Sequence, residues 1–117
     1  MLSIRKEQMQ ALREVARERF VKKMMTHLRR DFSEQTRELS EKELRDLVDE
    51  GMEQASEYDL EMRNDVRRYL ECVAVYGPGF DTKAETAWAG RILRDNSLSG
   101  TRKMDRIADY ETFARRT

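Results

Sequence analysis

The chain has 117 residues, of which 39% are charged and 38% hydrophobic, and its formal net charge is zero. Against roughly 25% charged and 45–50% apolar in an ordinary domain, this leaves room for one domain with a modest core and a heavily solvated surface. The single cysteine, Cys72, excludes an intramolecular disulfide, no apolar run approaches bilayer length, and Arg5, Lys6 and Glu7 interrupt any leader-like apolar stretch, so a cytoplasmic protein without membrane contact is expected.

Charge is spread unevenly. Residues 1–30 carry nine Lys/Arg against three Asp/Glu, residues 31–62 three against twelve, and the remainder eleven against eight. A basic segment followed by an acidic one predicts an antiparallel helix pair with complementary flanks, each exposed ion pair adding ~0–1 kcal/mol. This internal complementarity is preferred over a nucleic-acid or anionic-lipid surface, which would leave the domain as a whole in charge excess.

Good helix formers dominate, with one proline and five glycines, and no β-branched alternating run of strand length occurs. Ser3 is placed to cap a first helix running to about residue 31, roughly 40 Å long if straight. Met9, Leu12, Ala16 and Phe20 share a face in its first half, whereas Val21, Met25, Leu28 and Phe32 define a face rotated by about 100° in the second. The two ends therefore meet different neighbours, and the first half is predicted to project beyond the core. Residues 33–39 read as a short helical turn or connector. Ser40 with Glu43 forms a capping box opening a second main helix to about Tyr58, with Leu44, Leu47, Val48, Met52 and Ala55 on its buried face. Gly51 interrupts that face at about 1 kcal/mol relative to alanine, which predicts close approach by another helix. Asp59 is suited to the left-handed conformation at the helix end, with Leu60 turning back into the core.

Residues 62–77 form the centre of the fold. Met62, Val66, Tyr69, Leu70 and Val73 recur at helical spacing, and the run ends at Gly77-Pro78-Gly79, where a missing Cβ and a proline stop the helix. Phe80 anchors the loop. Thr82 with Glu85 predicts a second capping box before a short helix carrying Trp88, Ala89, Ile92 and Leu93. After a loop at 95–100, Ser99 or Thr101 caps a last helix with a weak apolar face, Met104, Ile107 and Ala108, flanked by Tyr110 and Phe113. The chain thus reads as all-α, a compact single domain over 1–117 of about five helices, with a long N-terminal helix and a central buried helix at 62–77. Val66, Tyr69, Leu70, Val73, Phe80, Trp88 and Ile92 are its predicted core.

No catalytic, metal or nucleotide motif stands out. His27 is the only histidine and falls on the charged side of helix one near Lys23 and Arg30, so it reads as a surface or boundary residue. Cys72 lies late in its helix, away from the helix N-terminus that would lower a thiol pKa, and reads as a small hydrophobe. The acids read as solvation and i,i+4 pairs. Gly77-Pro78-Gly79 lacks the lysine and the strand-to-helix context of a phosphate loop. Met24, Met25, Met52 and Met62 read as core gap-fillers before an adaptable peptide groove. No catalytic residue, cofactor or metal is expected.

The order Asp65-Val66, Tyr69-Leu70, Tyr76 to Asp81, Trp88-Ala89 and Ile92-Leu93 resembles small bacterial helical proteins encoded beside type VI secretion effector genes, near PAAR and VgrG spike components. Ile4-Arg5, Gln8, Met24, His27-Leu28-Arg29, Phe32, Leu98-Ser99 and Lys103-Met104 extend the resemblance over most of the chain. Where that family carries proline after the helix-one phenylalanine and glycine after Tyr58, this chain has Ser33 and Asp59. The resemblance implies an accessory role beside an effector, as loading adaptor, chaperone or immunity factor. The expected function is a non-enzymatic protein-binding module, with a secreted effector or spike component as partner and a homo-oligomer also compatible. Partner contacts are expected at Met9, Leu12, Lys22, Lys23, Arg29 and Arg30. The alternatives are an immunity protein, or a small nucleic-acid-binding regulator using the basic first helix through Lys22, Lys23, Arg29 and Arg30.

Overall fold

Breaker-free sequence from the N-terminus to Phe32 folds as one helix, α1 (Leu2–Asp31), in a computed structural model that describes the backbone of residues 2–116 and the side chains of residues 5–115. The Ser3 cap lies outside the described side chains. Five further α-helices follow: α2 (Ser33–Thr36), α3 (Glu41–Glu57), α4 (Arg63–Tyr76), α5 (Ala87–Leu93) and α6 (Gly100–Arg116), with 3-10 turns at Phe80–Thr82 and Ala84–Thr86. The protein is all-α, and the helix beyond the predicted five is the four-residue α2 within the 33–39 connector.

Local chemistry explains the boundaries. The backbone N–H of Glu43 donates to Ser40 Oγ at 3.1 Å and that of Ser40 to Glu43 Oε1 at 3.0 Å, so α3 opens with the predicted capping box. It closes with Asp59 at φ 63°, the Leu60 N–H returning to the Ala55 carbonyl at 3.0 Å and the Asp59 N–H to that of Ser56 at 3.1 Å. Aspartate here takes the left-handed place that glycine usually fills. The α1–α2 corner is held by Arg29, whose guanidinium donates to the carbonyls of Thr36 and, at 2.7 Å, Leu39. Ser99 Oγ accepts from the Arg102 N–H at 3.2 Å and caps α6, whereas Thr101 donates instead to Asp65 at 2.5 Å.

The capping box predicted at Thr82 and Glu85 does not form. Thr82 Oγ1 donates back to the Gly79 carbonyl, and the two 3-10 turns delay the helix to Ala87. That loop is instead tied from below: Thr86 Oγ1 donates to the Phe80 carbonyl and Arg94 Nη1 to the Asp81 carbonyl, each closing a gap that no local cap spans.

Helix α4 is the centre: like α3 it feeds both clusters of the core, and it also packs against α1, α3 and α6. Tyr69, Cys72 and Val73 pack with Ala55, Leu60, Phe80, Leu93, Met104 and Ile107. Leu70 packs on the other side with Val21, Met24, Leu28, Leu44 and Val48. Three predicted core residues lie shallower than expected: Val66, Trp88 and Ile92 are only partly buried at the margins. Trp88 stacks on Tyr110 at 4.1 Å and meets Tyr76 edge-on, so its second face is covered by an aromatic ring that is itself exposed. Met62, placed by spacing on the buried face, is exposed, because it is the N-cap of α4 and precedes its first packed turn.

Among the described residues, no helix covers the first half of α1. Residues 5–15 are all exposed, and the molecule measures 60 × 37 × 20 Å, elongated by this projecting rod. Burial begins at Ala16 and is complete at Val21, where the face rotates, with Val21 and Leu28 buried as predicted but Met24 in place of Met25, which like Phe32 is only partly buried.

Candidate functional site

The projecting rod carries an uncovered apolar stripe. Met9 is 51% exposed, Leu12 69% and Val15 50%, and Met9, Leu12, Ala16 and Phe20 follow one another at helical spacing. The stripe does not stop at the body. Ala16 and Phe20 line two adjoining hollows of about 350 and 300 Å3 where α1 crosses the start of α4, and Arg63 borders both. Met52 and Val66, both partly buried, floor the smaller hollow. Apolar side chains exposed in a row and continuous with a groove are the ordinary substance of a helix-recognising surface.

Cations rim the groove. Arg19 and Lys23 from α1 face Arg63 and Arg67 from α4 across the larger hollow, with Asn64 between. Each pair is spaced i,i+4, so each helix sets its two cations on one flank. The helices run in the same direction here: one turn further along, His27 Nε2 meets Glu71 Oε2 at 2.6 Å, closing the groove with an acid. Arg67 binds that same Glu71 at 3.0 Å and Asn64 Oδ1 at 2.6 Å. Arg19, Lys23 and Arg63 make no ion pair among the described residues.

This excess exists because α1 and α3 neutralise one another less than net charge predicts. Arg17 reaches Asp49 at 3.5 Å in the expected sense. The better pair is reversed: Arg45 of the acidic helix donates bidentately to Glu18 of the basic one, at 2.7 Å through Nη1. The Arg45 bond holds the Glu18 carboxyl below its ordinary range. An antiparallel packing with complementary flanks is therefore present, but it consumes only Arg17 of α1's cations.

The residues predicted to bind a partner divide accordingly. Met9 and Leu12 are free on the rod, and Lys23 lines the groove. Lys22 is exposed on another side of α1, Arg29 is spent on the carbonyls of the α1–α2 corner, and Arg30 pairs with Asp31 at 3.1 Å. The four basic side chains thus form no single patch, since their helical positions spread them around the rod. Sequence reasoning missed Arg19, Arg63 and Arg67. Their i,i+4 spacing was visible, but that the two pairs converge was not.

Neither residue weighed for catalysis faces the groove openly. His27 is held between carboxylates, Glu71 and, at 3.1 Å through Nδ1, Asp31, rather than beside the cations its sequence neighbours predicted. It acts as a strut from α1 to α4, edge-on to Phe32. Burial, reinforced by the charges of Glu111 and Glu71, pushes the Cys72 thiol up to about 12, the reverse of what activates a nucleophile. Among the described residues no helix is long and apolar enough to cross a membrane, and no group of three or more His, Cys, Asp or Glu side chains is placed to hold a metal ion.

Fold and surface together define a class, a small all-α single-domain bundle with one arm uncovered. Comparison of the chain with protein-family models, with curated proteins and with solved structures finds no match.

Proposed function

We propose that this protein is a non-enzymatic module that binds another protein through the projecting half of α1, in the accessory role that its sequence resemblance implies: adaptor or chaperone for a type VI secretion effector. The observation that carries the reading is the Met9–Leu12–Val15 surface, three large apolar side chains each at least half exposed on a rod that contributes nothing to the core. A folding unit gains no stability from apolar groups held in water, so their burial awaits a partner. Cytoplasmic location and the effector as partner belong to this proposal.

Affinity capture from the native host tests it. The wild-type chain retains one protein partner at raised salt, and the double variant Met9→Glu/Leu12→Glu loses it with an unchanged circular dichroism spectrum and melting temperature. Undiminished capture by the variant overturns the reading. Capture of duplex DNA that collapses as salt rises supports the nucleic-acid regulator in its place.

A further inference from the structure

Four cations overhang one hollow in a chain whose net charge is zero, while its surplus acids lie elsewhere. Glu50, Glu53 and Glu57 are exposed on α3 without an ion pair among the described residues. Like charges gathered over a shared hollow repel, and among the described residues Glu71 alone forms an ion pair with one of the four, Arg67. We infer that the groove between α1 and the first turns of α4 receives an acidic amphipathic helix from another protein. This inference rests on the protein-binding reading above and names the chemistry of the partner.

Charge and shape select that occupant together. The floor, Phe20, Met52 and Val66, is apolar, and it continues into the Met9–Leu12 stripe over about 17 Å of helix from Met9 to Phe20. Arg13 and Arg17 border one side of the stripe, and Arg19 and Lys23 the other. A helix lying along α1 with apolar anchors at i, i+3, i+4 and i+7 and Asp or Glu on both flanks matches floor and rim at once. A nucleic-acid backbone uses the rim and leaves the floor wet. A second copy of this chain fits neither way. Its acidic α3 has Leu44, Val48 and Ala55 buried in its own core, and its α1 arm carries the same sign of charge as the groove.

The probe is a fluorescently labelled synthetic helix of about five turns, with leucines along one face and glutamates on its flanks. Its twin has glutamine for every glutamate, and a labelled DNA duplex serves as the third ligand. Anisotropy is expected to show the acidic helix binding the full chain, with the glutamine twin roughly tenfold weaker. Arg19→Glu/Arg63→Glu, which breaks no ion pair among the described residues, brings the acidic helix down by a similar factor. The neutral pair Arg19→Gln/Arg63→Gln serves if the reversal unfolds. Equal binding of the two helices overturns the inference, as does duplex DNA outcompeting the acidic helix, or a wild-type dimer that the reversal dissociates. The same reversal in the capture experiment separates the two proposals. A partner lost with Met9→Glu/Leu12→Glu but kept with Arg19→Glu/Arg63→Glu removes the groove and leaves the protein-binding reading standing, whereas a partner kept by both variants removes both.

Discussion

Lys103 donates from Nζ to the backbone carbonyl of Tyr58 at 3.0 Å, although only 2% of its surface is exposed. Tyr58 is the C-cap of α3, where unpaired carbonyls give the helix end a partial negative charge. An ammonium from α6 thus closes an end on α3, and its buried stem occupies volume that a shorter residue would leave empty. Lys103→Met keeps most of that volume and removes the charge-assisted bond. It is expected to lower stability by about 1.5–3 kcal/mol, read as a fall in the urea midpoint at unchanged slope. A midpoint equal to wild type would show that the bond contributes nothing.

Gly51 sits where α3 meets α4, and a Cβ built there falls 2.5 Å from Leu70 Cδ2. Leu70 is fully buried and has little freedom to withdraw. Alanine gains about 1 kcal/mol of helix propensity but overpacks the site by about 1–3 kcal/mol, so Gly51→Ala is expected to destabilise on balance. In a Leu70→Ala background the clash disappears and Gly51→Ala becomes stabilising. Additive effects in that double-mutant cycle would refute the contact.

Asp59 holds φ 63° at the end of α3. Asp59→Val puts a β-branched side chain into the left-handed region and is expected to cost about 1–2 kcal/mol. Asp59→Gly keeps the turn, and its melting temperature stays at or above wild type. Equal melting of the valine and glycine variants would contradict the cap.

Burial holds the protons of the Cys72 thiol and of the Tyr58, Tyr69 and Tyr76 phenols, which makes the fold sensitive to base. Burial raises the Cys72 thiol from 9.0 to about 12, and burial with the Asp81 hydrogen bond raises the Tyr58 phenol from 10.0 to about 12. The Tyr69 and Tyr76 phenols are raised further by burial, and in the unfolded chain all four groups ionise first. Their contributions are therefore complete below the ordinary values and are lost as pH climbs toward about 12. Stability measured by urea is expected to fall from pH 8.5 upward by roughly the slope those protons dictate, and Cys72→Ala with Tyr58→Phe removes part of the fall while Tyr69 and Tyr76 keep the rest. At neutral pH the native thiol resists Ellman's reagent and reacts once urea unfolds the chain. Fast labelling of the native protein would overturn its burial.

Much of this was legible in the residues, and the reason is locality. The Ser40–Glu43 box, the Asp59 turn, the Gly77 stop and the rotation of α1's apolar face each depend on side chains within a turn or two of one another, so spacing alone reveals them. Where local signals competed with distant partners they failed. Thr82 and Glu85 had the pattern of a capping box, but Thr86 and Arg94 claim the Phe80 and Asp81 carbonyls and hold the loop in 3-10 turns. Arg29 looked like free basic surface until a carbonyl ten residues on came within its reach.

By itself the sequence determined an all-α chain, the central position of residues 62–77 and an arm of α1 left outside the core, because periodicity and caps act over the few ångströms that neighbouring residues share. Tertiary structure decided which charges meet. Arg45 could have found any of several acids and found Glu18; Arg19 and Lys23 could have been neutralised by α3 and instead face Arg63 and Arg67 across a groove. Helix crossing sets those distances, and Coulomb interactions at a wet surface are too weak to have chosen the crossing.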